Sequence, residues 1–276
     1  ERLGDISVAH LYNLRNSVGY RNQRVVLTKT QPTKNTQIGV RKAPAPEGRP
    51  GFIRIDSVHQ GDLDGIKGLY HINAVDCVTQ WQVVASVQAI SEAHLLSVIE
   101  EMLTQFPFEI LGFHADNGSE YVNHKVARLL DKLRIEFTRS RPRHSNDNGL
   151  AETKNGAVVR KEFGYEHIHR RHAARFDTYC REYLNPFLNF HRPCLFATEL
   201  ADPKKPGRIK RVYRPRDAMT PLDKLASLPN AASFLRPGVT LLELQQLARA
   251  LSDVQAAQEL NEARQALFKR ADIRTG

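Results

Sequence analysis

Apolar and polar positions alternate along Phe52-Ile53-Arg54-Ile55-Asp56, a pattern that predicts a strand ending in a carboxylate. A turn rich in glycine and aspartate, Gly61–Lys67, leads to two apolar, β-branched runs, Leu69–Val75 and Trp81–Val87. The break between them, Asp76–Gln80, predicts an antiparallel hairpin. The period then becomes helical: Ser91 caps a segment carrying Ala93, Leu96, Ile99 and Leu103, which Pro107 stops. Ile110–Ala115 predicts a short buried strand running into Asp116, Glu120–Leu133 an amphipathic helix, and Ile135–Thr138 another strand. A basic loop, Arg139–Gly149, precedes a helix from Leu150 to about Phe163.

The pattern weakens outside this region. Arg171–Leu184 predicts a helix ended by Asn185-Pro186, and Arg208–Tyr213 alternates like a strand. Leu241, Leu244, Leu247 and Leu251 predict a long amphipathic helix or helical pair over Thr240–Phe268. Near the start, Ser7 caps a short helical pattern of Val8, Leu11 and Leu14, and Thr28–Pro50 reads as an extended basic linker. The central order is β-β-β-α-β-α-β-α: three antiparallel strands, then two strands reached through helices. That order predicts an α/β, ribonuclease H-like mixed five-stranded sheet with flanking helices and small basic extensions at both ends.

Composition narrows the function classes. A chain of 276 residues, 41% hydrophobic and 25% charged, fills a core, and no run approaches the roughly 18 apolar residues of a membrane span. The three cysteines, Cys77, Cys180 and Cys194, are odd in number and far apart, which excludes a disulfide framework and CxxC-type zinc modules and suits a cytoplasmic protein. The first residue is not Met, so the sequence reads as cut from something longer. The net charge of +10 is unevenly spread. Residues 1–50 carry 9 Lys/Arg against 3 Asp/Glu, residues 51–165 carry 12 against 15, and residues 166–276 carry 19 against 12. Two basic flanks enclose a slightly acidic middle. That distribution suits a carboxylate–metal centre supplied with a polyanion by its neighbours.

Three acids stand where this architecture gathers side chains. Asp56 ends the first strand, Asp116 follows the fourth, and Glu152 opens the helix after the basic loop. Hard oxygen ligands suit Mg²⁺ or Mn²⁺, and a pair of such ions supports in-line phosphodiester displacement. Asp76 competes for the role because it also closes an apolar strand.

The run His114–Asn123, with Asp116-Asn117-Gly118-Ser119-Glu120 at its centre, resembles the central motif of the integrase core shared by retroviral integrases and bacterial insertion-sequence transposases. Thirty-five residues separate Asp116 from Glu152, the interval of the aspartate–aspartate–35–glutamate group. Ser140–Gly149 followed by Ala151-Glu152-Thr153-Lys154-Asn155-Gly156 resembles that family's flexible loop and glutamate helix. The resemblance implies that Asp56, Asp116 and Glu152 are catalytic and hold two Mg²⁺ or Mn²⁺ ions, with Asp56 bridging. Asp76 matches a family aspartate that is not a ligand.

The resemblance further implies a DNA transposase that nicks a 3′ end and transfers it to target DNA. Its partners would be double-stranded element ends and target, further copies of the chain, and in some systems a target-selecting ATPase; a hydrolysis-only nuclease and an inactive DNA-binding regulator are the alternatives. Candidate DNA contacts are Arg139, Arg141, Arg143, His144, Lys154, Asn155 and Arg160. Where retroviral relatives carry Lys or Arg seven residues after the glutamate, this chain has Val159. On an ideal helix Arg160 lies about 80° and Asn155 about 60° from Glu152. The expected organisation is a DNA-binding remnant and linker over 1–50, the end of a helix-turn-helix. A catalytic domain over 51–190, a basic segment with some β character over 191–230, and a helical segment over 231–276 would come after it.

Overall fold

The structure, a computed structural model, describes residues 7–17, 38–116, 121–142, 144, 147–201 and 209–271. Asn117, Gly118, Arg143 and residues 28–37 of the expected linker lie outside the described residues. Helix α1 (Val8–Asn16) starts at Ser7, whose hydroxyl accepts the His10 N–H. The strands of the central region are β1 (Val40–Arg41), β2 (Phe52–His59), β5 (Tyr70–Asp76), β6 (Gln82–Val87), β7 (Gly112–Ala115) and β8 (Glu136–Arg139). A small ribbon, β3 (Asp62–Leu63) and β4 (Ile66–Lys67), interrupts them.

The six strands form one mixed sheet in the order β1-β8-β7-β2-β5-β6. The β2–β5–β6 meander is antiparallel, while β7, β8 and β1 join in parallel. Without β1, this is the order expected of a ribonuclease H-like sheet. The sixth strand is a departure from the five predicted. Val40 and Arg41 are both exposed and leave no burial periodicity to read, yet their backbone extends the β8 edge.

Alternation along β2 divides the core in two. Ile53 and Ile55 face a cluster with α2 (Glu92–Thr104) and α3 (His124–Lys132), where Leu95, Ile99, Val126 and Leu130 are buried. Asn123 caps α3, accepting the Lys125 and Val126 N–H groups, so this helix begins four residues later than Glu120. Val58, on the other face, joins Leu69, Val84, Val158, Phe163 and Phe176 in the second cluster. Trp81 packs in the first cluster, edge-on to Phe108 and Phe190.

Helix α4 (Gly149–Lys154) continues through a π turn (Asn155–Val159) into α5 (Arg160–Phe163). Helix α6 (Ala173–Tyr179) likewise runs on through two π turns, Cys180–Leu184 and Phe187–His191. Asn185-Pro186 therefore does not end it, contrary to the sequence expectation. The cause is tertiary. Asn185 accepts the Val84 N–H (2.8 Å) and donates to the Val84 carbonyl (3.0 Å). Asn189 treats Gln82 the same way, at 2.8 and 2.7 Å, and Asp177 accepts the Ser86 N–H (2.9 Å). These side chains occupy the outer edge of β6, which no further strand pairs among the described residues. Wide turns on either side of Pro186, which has no N–H, keep the asparagines in register with the strand.

Strands β9 (Cys194–Ala201) and β10 (Ile209–Met219) form a separate antiparallel ribbon, and the strand expected up to Tyr213 is the first part of β10. Helices α7 (Pro221–Ala226), α8 (Leu241–Arg249) and α9 (Asp253–Arg270) complete the chain. The last two are a helical pair, each opened by a capping box at Thr240 and Ser252. Leu222, Leu225 and Leu244 enter the first cluster, and Leu267, Phe268 and Ala271 enter the second. Among the described residues no helix is long and apolar enough to cross a membrane.

Candidate active site

Register brings the first two acids together. Ile55 of β2 pairs in parallel with Ala115 of β7, so the backbones of Asp56 and Asp116 stand at one level of neighbouring strands, about 4.8 Å apart. Asp56 does not end its strand as expected, because pairing with β5 carries β2 on to His59, whereas Asp116 directly follows β7. Asp56 Oδ1 accepts the Ser57 N–H and Oδ2 accepts Asn155 Nδ2, both at 2.8 Å. Asp116 reaches solvent, but the surrounding protein desolvates it and raises its pKa above the ordinary aspartate value.

Glu152 stands exposed in the first turn of α4. Two hydrogen bonds seat that helix over the sheet: Asn148 Nδ2 donates to the Ile55 carbonyl (3.1 Å), and Asn73 Nδ2 to the Ala151 carbonyl (3.2 Å). The bond from Asn148 fixes the start of α4 to the residue that precedes Asp56. A buried polar chain completes the arrangement, with Gln82 donating to Asn73 Oδ1 and Asn73 Nδ2 donating to Asn155 Oδ1, each at 2.8 Å. Asn73 and Gln82 escaped the sequence reading because they sit inside apolar strand runs. Their signal is polarity at inward positions of an otherwise β-branched hairpin.

The hard oxygen donors of Asp56 and Asp116, open on one side to solvent, fit a divalent cation in chemistry. Among the described residues no three His, Cys, Asp or Glu side chains stand close enough together to hold a metal ion, so Asp56, Asp116 and Glu152 are not gathered into one ligand cluster in this conformation. Asp76 is elsewhere. It pairs with Ile53 at the other end of β2, wholly buried, and its carboxylate accepts the Gly51, Val78 and Thr79 N–H groups and the Thr79 hydroxyl. That carboxylate holds the hairpin turn.

The candidate DNA contacts separate. Arg141 and His144 are exposed on the loop, and Arg141 grips the buried Asp147 through two guanidinium bonds of 2.8 and 2.9 Å. This pairing holds the Asp147 carboxyl far below the usual range. Arg139 is a buried residue of β8 rather than of the loop, and desolvation, then Arg41, lowers its pKa. Lys154 is buried with Nζ 3.0 Å from Cys194 Sγ. Arg160 donates to the Gln60 side chain and the His59 carbonyl and lies over the Tyr165 ring at 4.9 Å. Asn155 sits on Asp56. His114 is buried between Thr138 and Ser140, its pKa pushed down to about 4 by burial and by Arg54.

Residues 49–145 match the protein family described as Integrase core domain. The likeness covers about a third of the chain. The matched segment holds Asp56 and Asp116 and ends before Glu152. An uncharacterized protein of Sinorhizobium fredii is 30% identical over 117 residues, which is 42% of this chain and 33% of that relative; this chain thus spans about a third of its length. Among solved structures, the catalytic core domain of HTLV-2 integrase, in complex with magnesium, is similar at 17% identity and a TM-score of 0.33, covering 41% of this chain and 69% of that one. The catalytic core domain of BIV integrase is similar at 16% identity and a TM-score of 0.37, covering 51% and 85%. The fold of this region rests on its own strand order and register.

Proposed function

We propose that this chain is a DNA transposase that nicks the 3′ end of a mobile element and joins it to target DNA. Asp56, Asp116 and Glu152 are its catalytic and metal-holding residues in this reading. The observation that carries it is the placement of Asp56 and Asp116 at one level of adjacent strands, with the Glu152 helix tied to the same strand through Asn148. Two Mg²⁺ or Mn²⁺ ions at these carboxylates supply the positive charge that activates an attacking oxygen and steadies a leaving one.

The chain's own contribution is orientation. Asn155 fixes one oxygen of Asp56 and the Ser57 N–H fixes the other. Gln82 and Asn73 in turn hold Asn155. Glu152 joins the pair when DNA settles against the loop of Arg141 and His144, which brings α4 and the scissile phosphate into one register. The basic flanks grip double-stranded ends and target, and several copies of the chain, in the bacterial cytoplasm, pair two ends. A target-selecting ATPase partner is compatible with this scheme.

The test incubates the protein with candidate end DNA and Mg²⁺ and resolves nicked from joined products. Asp56→Asn, Asp116→Asn and Glu152→Gln should each abolish both products while DNA binding survives. Asp76→Asn should lower stability yet leave chemistry. Joining at wild-type rate by Asp116→Asn would refute the assignment, and nicking without any joining would make the protein a nuclease.

A further inference from the structure

A cavity of about 1020 Å³ lies between α4 and the β9–β10 ribbon. Five cationic side chains line it, Arg54, Lys154, Arg192, Arg211 and Lys224, and no Asp or Glu among the described residues does. Among the described residues Arg54, Lys154, Arg192 and Lys224 make no ion pair with a carboxylate. Arg54 Nε is buried without a hydrogen-bond partner, and Lys154 faces a cysteine sulfur. Arg192 donates to the Ala157 carbonyl (3.0 Å), and the Lys224 ammonium lies 5.3 Å from the Phe196 ring centroid. Like charges gathered in a cleft repel one another, and a bound polyanion relieves that repulsion.

The remaining walls are apolar and aromatic. Leu150 and Leu195 line the groove, and Tyr213 presents a ring that is 58% exposed. Cations that track a backbone, beside an unpacked aromatic face, are what single-stranded nucleic acid uses: phosphates take the charge and a base stacks on the ring. A duplex offers no free base face. The volume is close to the upper limit of small-molecule sites, which gives room for a few nucleotides of one strand rather than for both. Arg54 lies two residues before Asp56 on the same face of β2, about 7 Å along the strand. A strand seated in the groove therefore leads to the carboxylates.

We propose that this groove binds a single-stranded segment of DNA, with phosphates on Arg54, Arg192 and Lys224 and a base on Tyr213. The choice of DNA rests on the transferase reading; the choice of a single strand rests on the groove itself. The test is fluorescence anisotropy of the full chain with a short labelled single-stranded oligonucleotide and with its duplex. Tyr213→Leu and Lys224→Gln should each weaken single-strand binding on the order of tenfold, leaving duplex binding unchanged. Tyr213→Phe should bind like wild type, since the ring stacks and the hydroxyl does not. Lys132→Gln removes an exposed charge of α3, away from the groove and from the basic flanks, and should change neither.

Equal losses for single strand and duplex, or equal losses in Lys132→Gln and Lys224→Gln, would overturn the proposal in favour of general surface charge. If Lys224→Gln fails to fold, the Tyr213→Leu and Tyr213→Phe pair decides alone. A cutting assay on the same proteins separates the two readings. If single-strand binding depends on Tyr213 while neither wild type nor any variant cuts DNA, the groove stands and the transferase reading falls. If nicking is intact and Tyr213→Leu binds single strands normally, the groove falls instead.

Discussion

The asparagine edge of β6 gives a sharp quantitative test. Replacing Asn189 by Leu keeps the volume but removes the acceptor for the Gln82 N–H (2.8 Å) and the donor to the Gln82 carbonyl (2.7 Å). Both backbone groups remain buried against the helix with no other strand to take them. Each orphaned group costs about 1–3 kcal/mol, and the apolar gain from leucine recovers part of that. The net loss should be about 2–5 kcal/mol, a large share of an ordinary domain's stability. The chain has one tryptophan, Trp81, buried and adjacent to Gln82, so its fluorescence reports on this edge directly. Urea unfolding monitored by that fluorescence should show a midpoint lowered by about 1 M or more. Asn185→Leu should behave alike, since its amide makes the same pair of bonds to Val84. A midpoint within a few tenths of wild type would mean that water or a shifted helix satisfies the edge, and that the asparagines do not explain why the helix passes Pro186.

Asn155→Ala removes the amide that holds Asp56 and should lower kcat about tenfold or more with KM little changed, read by steady-state nicking; a change confined to KM would make Asn155 a DNA contact instead. Gly51→Ala should destabilise by several kcal/mol, measured by thermal melting, because the glycine has φ +107° and an added Cβ would stand 2.3 Å from the Glu109 carbonyl oxygen. His71 is buried with its pKa pushed down to about 3 by desolvation and then by Arg160, so it folds neutral and must charge when the chain unfolds. The stability it contributes is complete above pH 6.5 and falls by about 1.4 kcal/mol per pH unit as pH drops from there toward 3; His71→Phe should flatten the decline of the urea midpoint, and an unchanged slope would refute the assignment.

Much of the sheet was legible because burial keeps to the period of two. Ile53 and Ile55 alternate with Arg54 and Asp56, and β6 is buried throughout, as its β-branched run suggests. The placement of Asp56 and Asp116 was legible for a related reason: each directly follows apolar strand residues, and parallel register does the rest, although β2 itself continues to His59. The hidden features depend on distant parts of the chain. Lys154 reads as a candidate DNA contact until β9 folds over it and places Cys194 beside its ammonium. Arg160 falls near Glu152 on an ideal helical wheel, but the π turn over Asn155–Val159 takes up extra backbone and re-phases the helix beyond it. Arg160 then turns to Gln60 and the His59 carbonyl. Asn185 looks like a helix end beside a proline until the strand edge that it and Asn189 cover is known.

The second core cluster is assembled from chain segments made far apart in time. Val58 and Leu69 emerge early and the helix that carries Glu152 lies against residues up to Leu188, yet Leu267, Phe268 and Ala271 close the same cluster. During synthesis at about 5–20 residues per second, that surface stays open for several seconds after Leu188 has appeared. The nascent chain thus holds the strands of Asp56 and Asp116 before the support beneath α5 and α6 is complete. The chain would acquire its full rigidity only when residues 267–271 have left the ribosome, which ties the support of the candidate site to those residues rather than to the presence of its acids.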